Sequence, residues 1–210
     1  MNAHGQSVRT HTRRLHVAKL LGNLNYALIL GAGLLIVVMF GFHGTAMGEG
    51  YANVFFRFFH VLVGIMWIGL LYYFNFVQIP TMPKVPAELK PAVSKYIAPE
   101  ALFWFRWAAL FTVVTGFVIA LLNGYAHQAL TLQSPYRLIG LGMWLAIIMA
   151  INVWFVIWPN QKKALGIVEA DAETKAKAAT TAMIFSRTNT VLSLPMLYCM
   201  VTQGLLGQVG

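Results

Sequence analysis

Long apolar runs separated by short polar connections dominate this sequence. Five of these runs are long enough to cross a hydrocarbon core, which takes roughly 20 apolar residues in a helix. None alternates with the two-residue period of a barrel strand, so each run is predicted as a helix whose backbone groups bond within it. The predicted spans are about Leu20–Phe42, Val54–Gln78, Ala101–Tyr125, Arg137–Trp158 and Met183–Leu206. The pattern predicts an all-α integral membrane protein, a bundle of five transmembrane helices.

The composition supports this prediction. Of 210 residues, 59% are hydrophobic and 10% are charged, against roughly 45–50% and about 25% in ordinary soluble domains. A typical cytosolic enzyme, a coiled coil and a disordered chain are excluded by that balance. The single cysteine, Cys199, excludes a disulfide framework, a four-cysteine zinc site and a CxxCH site for covalent haem attachment.

The formal net charge of +9 is distributed as in a membrane protein. The lysines and arginines lie in short segments between apolar runs, so we expect no nucleic-acid partner. Eleven of the 15 precede the first span or lie in the connections after the second and fourth spans. By the positive-inside rule, the N-terminus is cytoplasmic and the C-terminus extracytoplasmic. The predicted layout is a basic cytoplasmic tail at 1–19, one membrane domain at 20–206, and cytoplasmic loops at 79–100 and 159–182.

The second cytoplasmic loop has a helical pattern of its own. It is rich in alanine, and Asp171 with Lys175 and Glu173 with Lys177 are each four residues apart. Opposite charges at this spacing face each other on a helix. The pattern predicts a helix that continues into the fifth span.

Histidines at one predicted depth provide the candidate chemistry. Ionisable side chains inside spans are costly, so each needs a partner or a role. His60 lies inside the outer half of the second span, and His43 and His127 lie at the outer ends of the first and third. Axial ligation of a b-type haem requires two such imidazoles on opposite faces of one iron. We predict haem b with iron bound by His60 and His127, and with His43 as the other candidate ligand.

Other residues on the outer side complete this predicted haem site. Arg57 and Arg137 are placed to pair with the anionic propionates. Met143 reaches a similar depth in the fourth span and offers His/Met ligation as a variant. Trp67 belongs to the apolar slot expected around the ring.

Two other interpretations of these residues stay open. Membrane histidines often hydrogen-bond across a helix interface, which would make these polar residues structural in a non-catalytic subunit or scaffold. His43, Met47 and Glu49 also form H-x3-M-x-E, and an imidazole with a thioether suits copper(I). The ten methionines are scattered over the spans, however, as in ordinary membrane packing.

A second polar group is predicted on the cytoplasmic side. It forms either an interhelical network or a site for an anionic or planar polar ligand, such as a purine, a quinone headgroup or a lipid phosphate. Its members are Arg106, Asn160, Gln161, Arg187 and Asn189.

Four stretches of the chain share their motifs and order with one known family. They read RFFHVLVGIMWIG at 57–69, WFRW at 104–107, NVWFVIWPNQKK at 152–163 and SRTNTVLSLPML at 186–197. They resemble the membrane domain of bacterial membrane-bound urate oxidases, in which a helical membrane part is fused to a cytochrome c. The family has lysine where this chain has Arg106. By position, the residues matched are Arg57, His60, Trp67, Trp104, Arg106, Trp107, Asn152, Trp154, Pro159, Asn160, Gln161, Arg187, Asn189 and Pro195.

The resemblance implies a redox-linked protein of the bacterial inner membrane that passes electrons to cytochrome c at the outer face. His60 is then the natural haem ligand, while the substrate is left open. This chain departs from the family in having fewer predicted spans and no fused cytochrome c. We therefore expect a separate periplasmic cytochrome c or other membrane subunits as partners, and a homo-oligomer or complex in the lipid membrane.

Overall fold

The computed structural model of the protein describes residues 18, 21–44, 47, 48 and 50–203. Within these residues the fold is entirely helical, as the apolar runs predicted. The helices are α1 (Leu24–His43), α2 (Tyr51–Lys84), α3 (Lys90–Leu122), α4 (Ala126–Leu130), α5 (Arg137–Ala164) and α6 (Ala172–Thr202). The described residues up to Tyr51, which include α1, form one unit, and the described residues from Ala52 onward form another.

Four of the described helices are long and apolar enough to cross a membrane: α1, α2, α3 and α5. Their outward side chains are those of a lipid-facing surface, with Ile65 67% and Phe155 76% exposed. Such a surface is unfavourable in water and is consistent with a lipid environment. The protein is therefore a multi-pass membrane protein.

Helix α6, which contains the predicted fifth span, is long but more polar. It runs without a break over 31 residues, as the charge spacing predicted. The mean hydropathy of α6 is lower than that of α1, α2, α3 and α5, because serine, threonine and asparagine interrupt its apolar positions. Ser186, Asn189 and Ser193 are buried against other helices rather than exposed. The count of five spans remains a prediction.

Helices α2, α3, α5 and α6 pack antiparallel as an up-and-down bundle. On α2, Tyr72 pairs with Ser193 and Asn75 with Ser186, so α6 runs in the opposite direction. The order of contacts is also reversed between α2 and α3 and between α5 and α6. Between α3 and α5 it is reversed as well, because Arg106 contacts Trp154 while Ala120 packs in a cluster with Met143. The core between them is apolar, and its largest fully buried side chains include Trp67, Phe105 and Leu71.

Helices α2, α3 and α5 contain wider π-helical turns, all in the half of the bundle away from His60. These turns span Tyr73–Gln78 in α2, Val93–Ile97 in α3 and Asn152–Ile157 in α5. A π turn carries one extra residue per turn and rotates the side chains that follow it. Helical backbone also continues beyond the predicted second span to Lys84 and resumes at Lys90, which leaves residues 85–89 as the connection.

Helix α6 begins with a side-chain cap. The Asp171 carboxylate accepts hydrogen bonds from the Thr174 backbone N–H at 2.8 Å and from the Thr174 hydroxyl at 2.7 Å. These bonds favour the charged form, so they lower the pKa of Asp171. Because the folded pKa lies below the unfolded one, the cap stabilises the first turn above the unfolded pKa and is lost as the pH falls through the folded value.

The first turn of α6 is therefore expected to fray in acid. Amide-exchange protection of Thr174, corrected for intrinsic rates, should be constant above about pH 4 and should decrease as the pH falls further, because the folded pKa of Asp171 lies below the ordinary value of about 3.9. Asp171→Ala should show low protection at every pH. Asp171→Asn, which caps without titrating, is the control and should be insensitive to pH. Equal pH dependence in Asp171→Asn and the wild type would contradict the assignment.

Candidate functional site

His60 faces the interface between α2 and α3, in the half of the bundle that the sequence predicts to be extracytoplasmic. Its Nδ1 lies 2.9 Å from the backbone oxygen of Thr112 and 3.1 Å from Oγ1 of Thr115. The ring also lies against Gly116. A Cβ atom added at that glycine would approach ring atom Cε1 to 2.9 Å. Gly116 therefore provides the space that the imidazole occupies.

This contact fixes the tautomer of the neutral imidazole. A carbonyl oxygen only accepts hydrogen bonds, so Nδ1 carries the proton and donates it to Thr112. Nε2 then holds the lone pair, and it has no hydrogen-bond partner among the described side chains and backbone. An imidazole oriented through Nδ1 with a free Nε2 is the usual arrangement of a metal-ligating histidine. The same contact also fits a purely structural histidine.

Arg57, Arg137 and His127 form no hydrogen bond with His60. Arg57 donates to the Asn53 side chain at 3.4 Å, and Arg137 donates through Nε to the Leu132 oxygen at 3.2 Å. Both guanidinium groups are exposed, as is His127 on α4. Thus both arginines remain available to a ligand at the outer surface.

Met143 and Trp67 are buried. Met143 packs in a small cluster with Ala120, one helical turn beyond Gly116 on α3. Trp67 is fully buried two turns after His60 on α2, and its indole Nε1 has no hydrogen-bond partner among the described residues. An unpartnered buried donor is unusual in a folded protein.

The copper interpretation receives no further support. His43 ends α1, and its ring centroid lies 6.4 Å from that of Tyr51 within the same unit. Glu49 lies outside the described residues. In the part of the chain that the structure describes, no three His, Cys, Asp or Glu side chains converge as a metal site.

Of the cytoplasmic-side residues, Asn189 is the centre of a structural network. It is fully buried, it donates to the Met149 oxygen at 2.9 Å, and it accepts from Asn152 at 3.0 Å. These bonds tie α6 to the π turn of α5. Asn160 donates to Val156 within its own helix, and Arg187 is exposed.

Arg106 is in a different environment. Only 9% of its surface is exposed, and its guanidinium carbon lies 3.4 Å from the ring centroid of Trp158. The ammonium of Lys162 lies 5.7 Å from the same centroid. The Nε and Nη1 atoms of Arg106 are buried without a hydrogen-bond partner among the described residues.

A cavity of about 150 Å³ lies one helical turn farther from His60 than Arg106 does. Leu102 lines it, one turn before Arg106 on α3, and Gln161 lines it, three residues after Trp158 on α5. The side-chain oxygens of Gln78 and Gln161, both in the lining, are buried and without a described partner.

The five predicted cytoplasmic-side residues thus do not form one group: Asn189 is in a structural network, Gln161 lines the cavity, and Arg106 lies one turn from it. Asn160 bonds within its own helix and Arg187 is exposed.

Several of these residues were missed by the sequence analysis. Thr112, Thr115 and Gly116 form a T-x-x-T-G pattern on one turn of α3, which could have indicated the partner of His60. Trp158 and Lys162 are four residues apart, so their proximity follows from helical spacing. Nothing in the sequence pairs Trp158 with Arg106.

Together, the lipid-facing helices and the polar side chains inside the bundle define an α-helical multi-pass membrane protein with polar groups in both halves. Residues 125–205 match the model of the family described as urate oxidase N-terminal. The match confirms the resemblance predicted from the motifs and supports a relation to membrane-bound urate oxidase. It covers the motifs at 152–163 and 186–197, whereas those at 57–69 and 104–107 lie outside it. Comparisons with curated proteins and with solved structures gave no match.

Proposed function

We propose that this chain is the membrane-embedded part of a haem b electron-transfer protein, related to membrane-bound urate oxidase, with His60 as an axial ligand. The observation that supports the proposal is the 2.9 Å contact between His60 Nδ1 and the Thr112 oxygen. It orients the ring and leaves Nε2 with its lone pair and no partner among the described residues.

The residues around His60 fit this group. A haem, when bound, supplies reversible one-electron transfer. The ring nitrogen of His60 is a suitable ligand for haem iron. The indole N–H of Trp67, two helical turns further along α2, is buried and has no hydrogen-bond partner among the described residues. His127 or Met143, in the same unit as His60, would supply a second ligand to the iron. Arg57 and Arg137 would pair with the propionates through their exposed guanidinium groups.

The proposed topology has five spans, with α6 as the fifth. At 1.5 Å per residue, its 31 residues extend about 46 Å, enough to cross a bilayer. Its polar residues Ser186, Asn189 and Ser193 face protein, which removes their cost in lipid. With the N-terminus cytoplasmic in the bacterial inner membrane, the His60 end faces the periplasm, where a cytochrome c partner would accept electrons. We further propose that the chain works as a homo-oligomer or complex subunit.

The visible spectrum of the purified protein tests the proposal. Protein expressed with ample haem should show a Soret band and a dithionite-reduced α band. His60→Ala should lose both while remaining monodisperse in detergent. Thr188→Ala, an exposed substitution on α6, is the control and should keep the wild-type spectrum. A featureless wild-type spectrum would overturn the haem proposal.

A scaffold role is the alternative that a specific observation favours. The Asn152, Asn189 and Met149 contacts, and the pairs from α2 to α6, are those of polar groups that set helix register. Folded wild-type protein without haem would support this function. Metal analysis of the same sample tests copper.

A further inference from the structure

We infer that Arg106 and Lys162 form a binding site for an oxyanion, a phosphate or carboxylate group, in the cytoplasmic half of the bundle. The inference is independent of haem at His60, which lies in the opposite half. It rests on two cations placed on one indole ring, one helical turn from residues that line a cavity.

Arg106 is a buried cation that no described carboxylate neutralises. Arginine is always ionised in proteins, and Arg106 is nine-tenths buried. Among the described residues the one ion pair joins Lys177 and Glu173 at the surface, so no described carboxylate neutralises Arg106. A buried cation without a partner is strongly unfavourable. The contact with Trp158 compensates in part, since the face of an indole is electron-rich.

The Arg106 guanidinium lies on the Trp158 ring and has nitrogens without a described partner. One face of the guanidinium is occupied by Trp158, and Nε and Nη1 are buried without partners among the described residues. These two nitrogens belong to different edges of the guanidinium, because each two-donor edge pairs one of them with Nη2. A guanidinium binds phosphate and carboxylate through one such edge, with two parallel hydrogen bonds. Lys162 adds a second positive charge on the same indole. The two edges of the Arg106 guanidinium are therefore the part of the site that an oxyanion would contact.

A cavity lies one helical turn from Arg106 and provides space near it for a ligand. Leu102 and Gln161, one turn from Arg106 and Trp158 on the side away from His60, line the cavity of about 150 Å³. The unpartnered oxygens of Gln78 and Gln161 can accept from O–H or N–H groups of the same ligand. A lipid headgroup and a small soluble anion both present this chemistry.

The test is an oxyanion titration of the full-length protein with matched lysine variants. Delipidated protein in neutral detergent is titrated with inorganic phosphate and, separately, with acetate at constant ionic strength, and tryptophan fluorescence and the melting temperature are followed. Lys162→Gln should weaken binding several-fold. Lys163→Gln, which removes the neighbouring exposed charge, should leave binding unchanged.

Arg106→Met should abolish binding. It should also melt at or above the wild-type temperature in anion-free buffer, because an uncompensated buried charge is replaced by an apolar side chain. This outcome distinguishes a ligand site from a structural arginine, whose loss would lower the melting temperature at every anion concentration.

A comparison of two lipids distinguishes a lipid headgroup from a small soluble anion as the ligand. Nanodiscs of phosphatidylglycerol are compared with nanodiscs of phosphatidylcholine, and retained phospholipid is measured by native mass spectrometry. Phosphatidylglycerol retained by wild type and lost in Arg106→Met assigns the site to a lipid headgroup, whereas binding of soluble anions alone assigns it to a small anion. If neither binds, or if Lys163→Gln weakens binding as much as Lys162→Gln, the inference is overturned. Haem spectra are unaffected by any of these outcomes.

Discussion

Gly140→Ala is expected to disrupt the packing of the outer half of the bundle. A Cβ atom at this position would overlap the backbone oxygen of Ala129 and lie 2.8 Å from its carbonyl carbon. It would also lie 3.0 Å from Leu132 Cδ2. The obstacle is backbone rather than a flexible side chain, so α4 must move away from α5.

That movement would break further contacts. Ala129 is fully buried, and the Trp144 indole donates to the Leu130 oxygen at 2.9 Å, which holds α4 against α5. Overpacking a core costs roughly 1–3 kcal/mol, and we expect the upper part of this range because backbone must shift.

Thermal unfolding in detergent, monitored by the monodisperse fraction on size exclusion, measures the effect. Gly69→Ala is the matched control, since nothing lies within 4 Å of a Cβ atom built there. It should melt at or slightly above the wild-type temperature, because alanine favours helix over glycine. Equal melting of the two variants would show that α4 does not pack closely on α5.

Gly116→Ala is expected to displace the His60 ring. The added Cβ would lie 2.9 Å from Cε1 and 3.3 Å from Nδ1, so the ring must shift away from Thr112. Loss of an interhelical hydrogen bond in a membrane protein costs about 0.6 kcal/mol on average and up to about 1.7. The steric cost adds to this, while alanine returns up to about 1 kcal/mol of helix propensity. The net expectation is a destabilisation of about 1 kcal/mol.

A double-mutant cycle with His60→Ala isolates this contact. Without the ring, Gly116→Ala should be neutral or stabilising, which gives a coupling of about 1–2 kcal/mol, within the range for residues in contact. If haem is bound at His60, the single variant should also lose part of the Soret absorbance. Gly64→Ala, whose Cβ would make an ordinary 3.9 Å contact with Thr112, is the control. Additive effects of Gly116→Ala and His60→Ala would contradict the proposed packing.

The two sites differed in how far the sequence could predict them. His60 was identified from its depth alone, because a titratable group inside an apolar run is conspicuous. Its partner was not, since Thr112 acts through its backbone oxygen, which every residue possesses. The cytoplasmic residues were grouped by depth, but depth does not give the direction in which a side chain points. In the structure Asn189 faces α5 and Arg187 is exposed, although the two residues are only two positions apart.

The sequence by itself determined that the chain is a helical membrane protein. Its apolar runs are long enough to cross a bilayer, and in lipid their backbone groups must hydrogen-bond within a helix because the runs lack the alternation of barrel strands. The motifs also indicated the urate oxidase relation. Only the tertiary structure decided which polar groups pair across helices and that the Arg106 guanidinium lies on the Trp158 ring with two nitrogens unpartnered. These contacts depend on the rotation of each helix about its axis, which is set by close packing at glycines such as Gly116 and Gly140 and by the π turns.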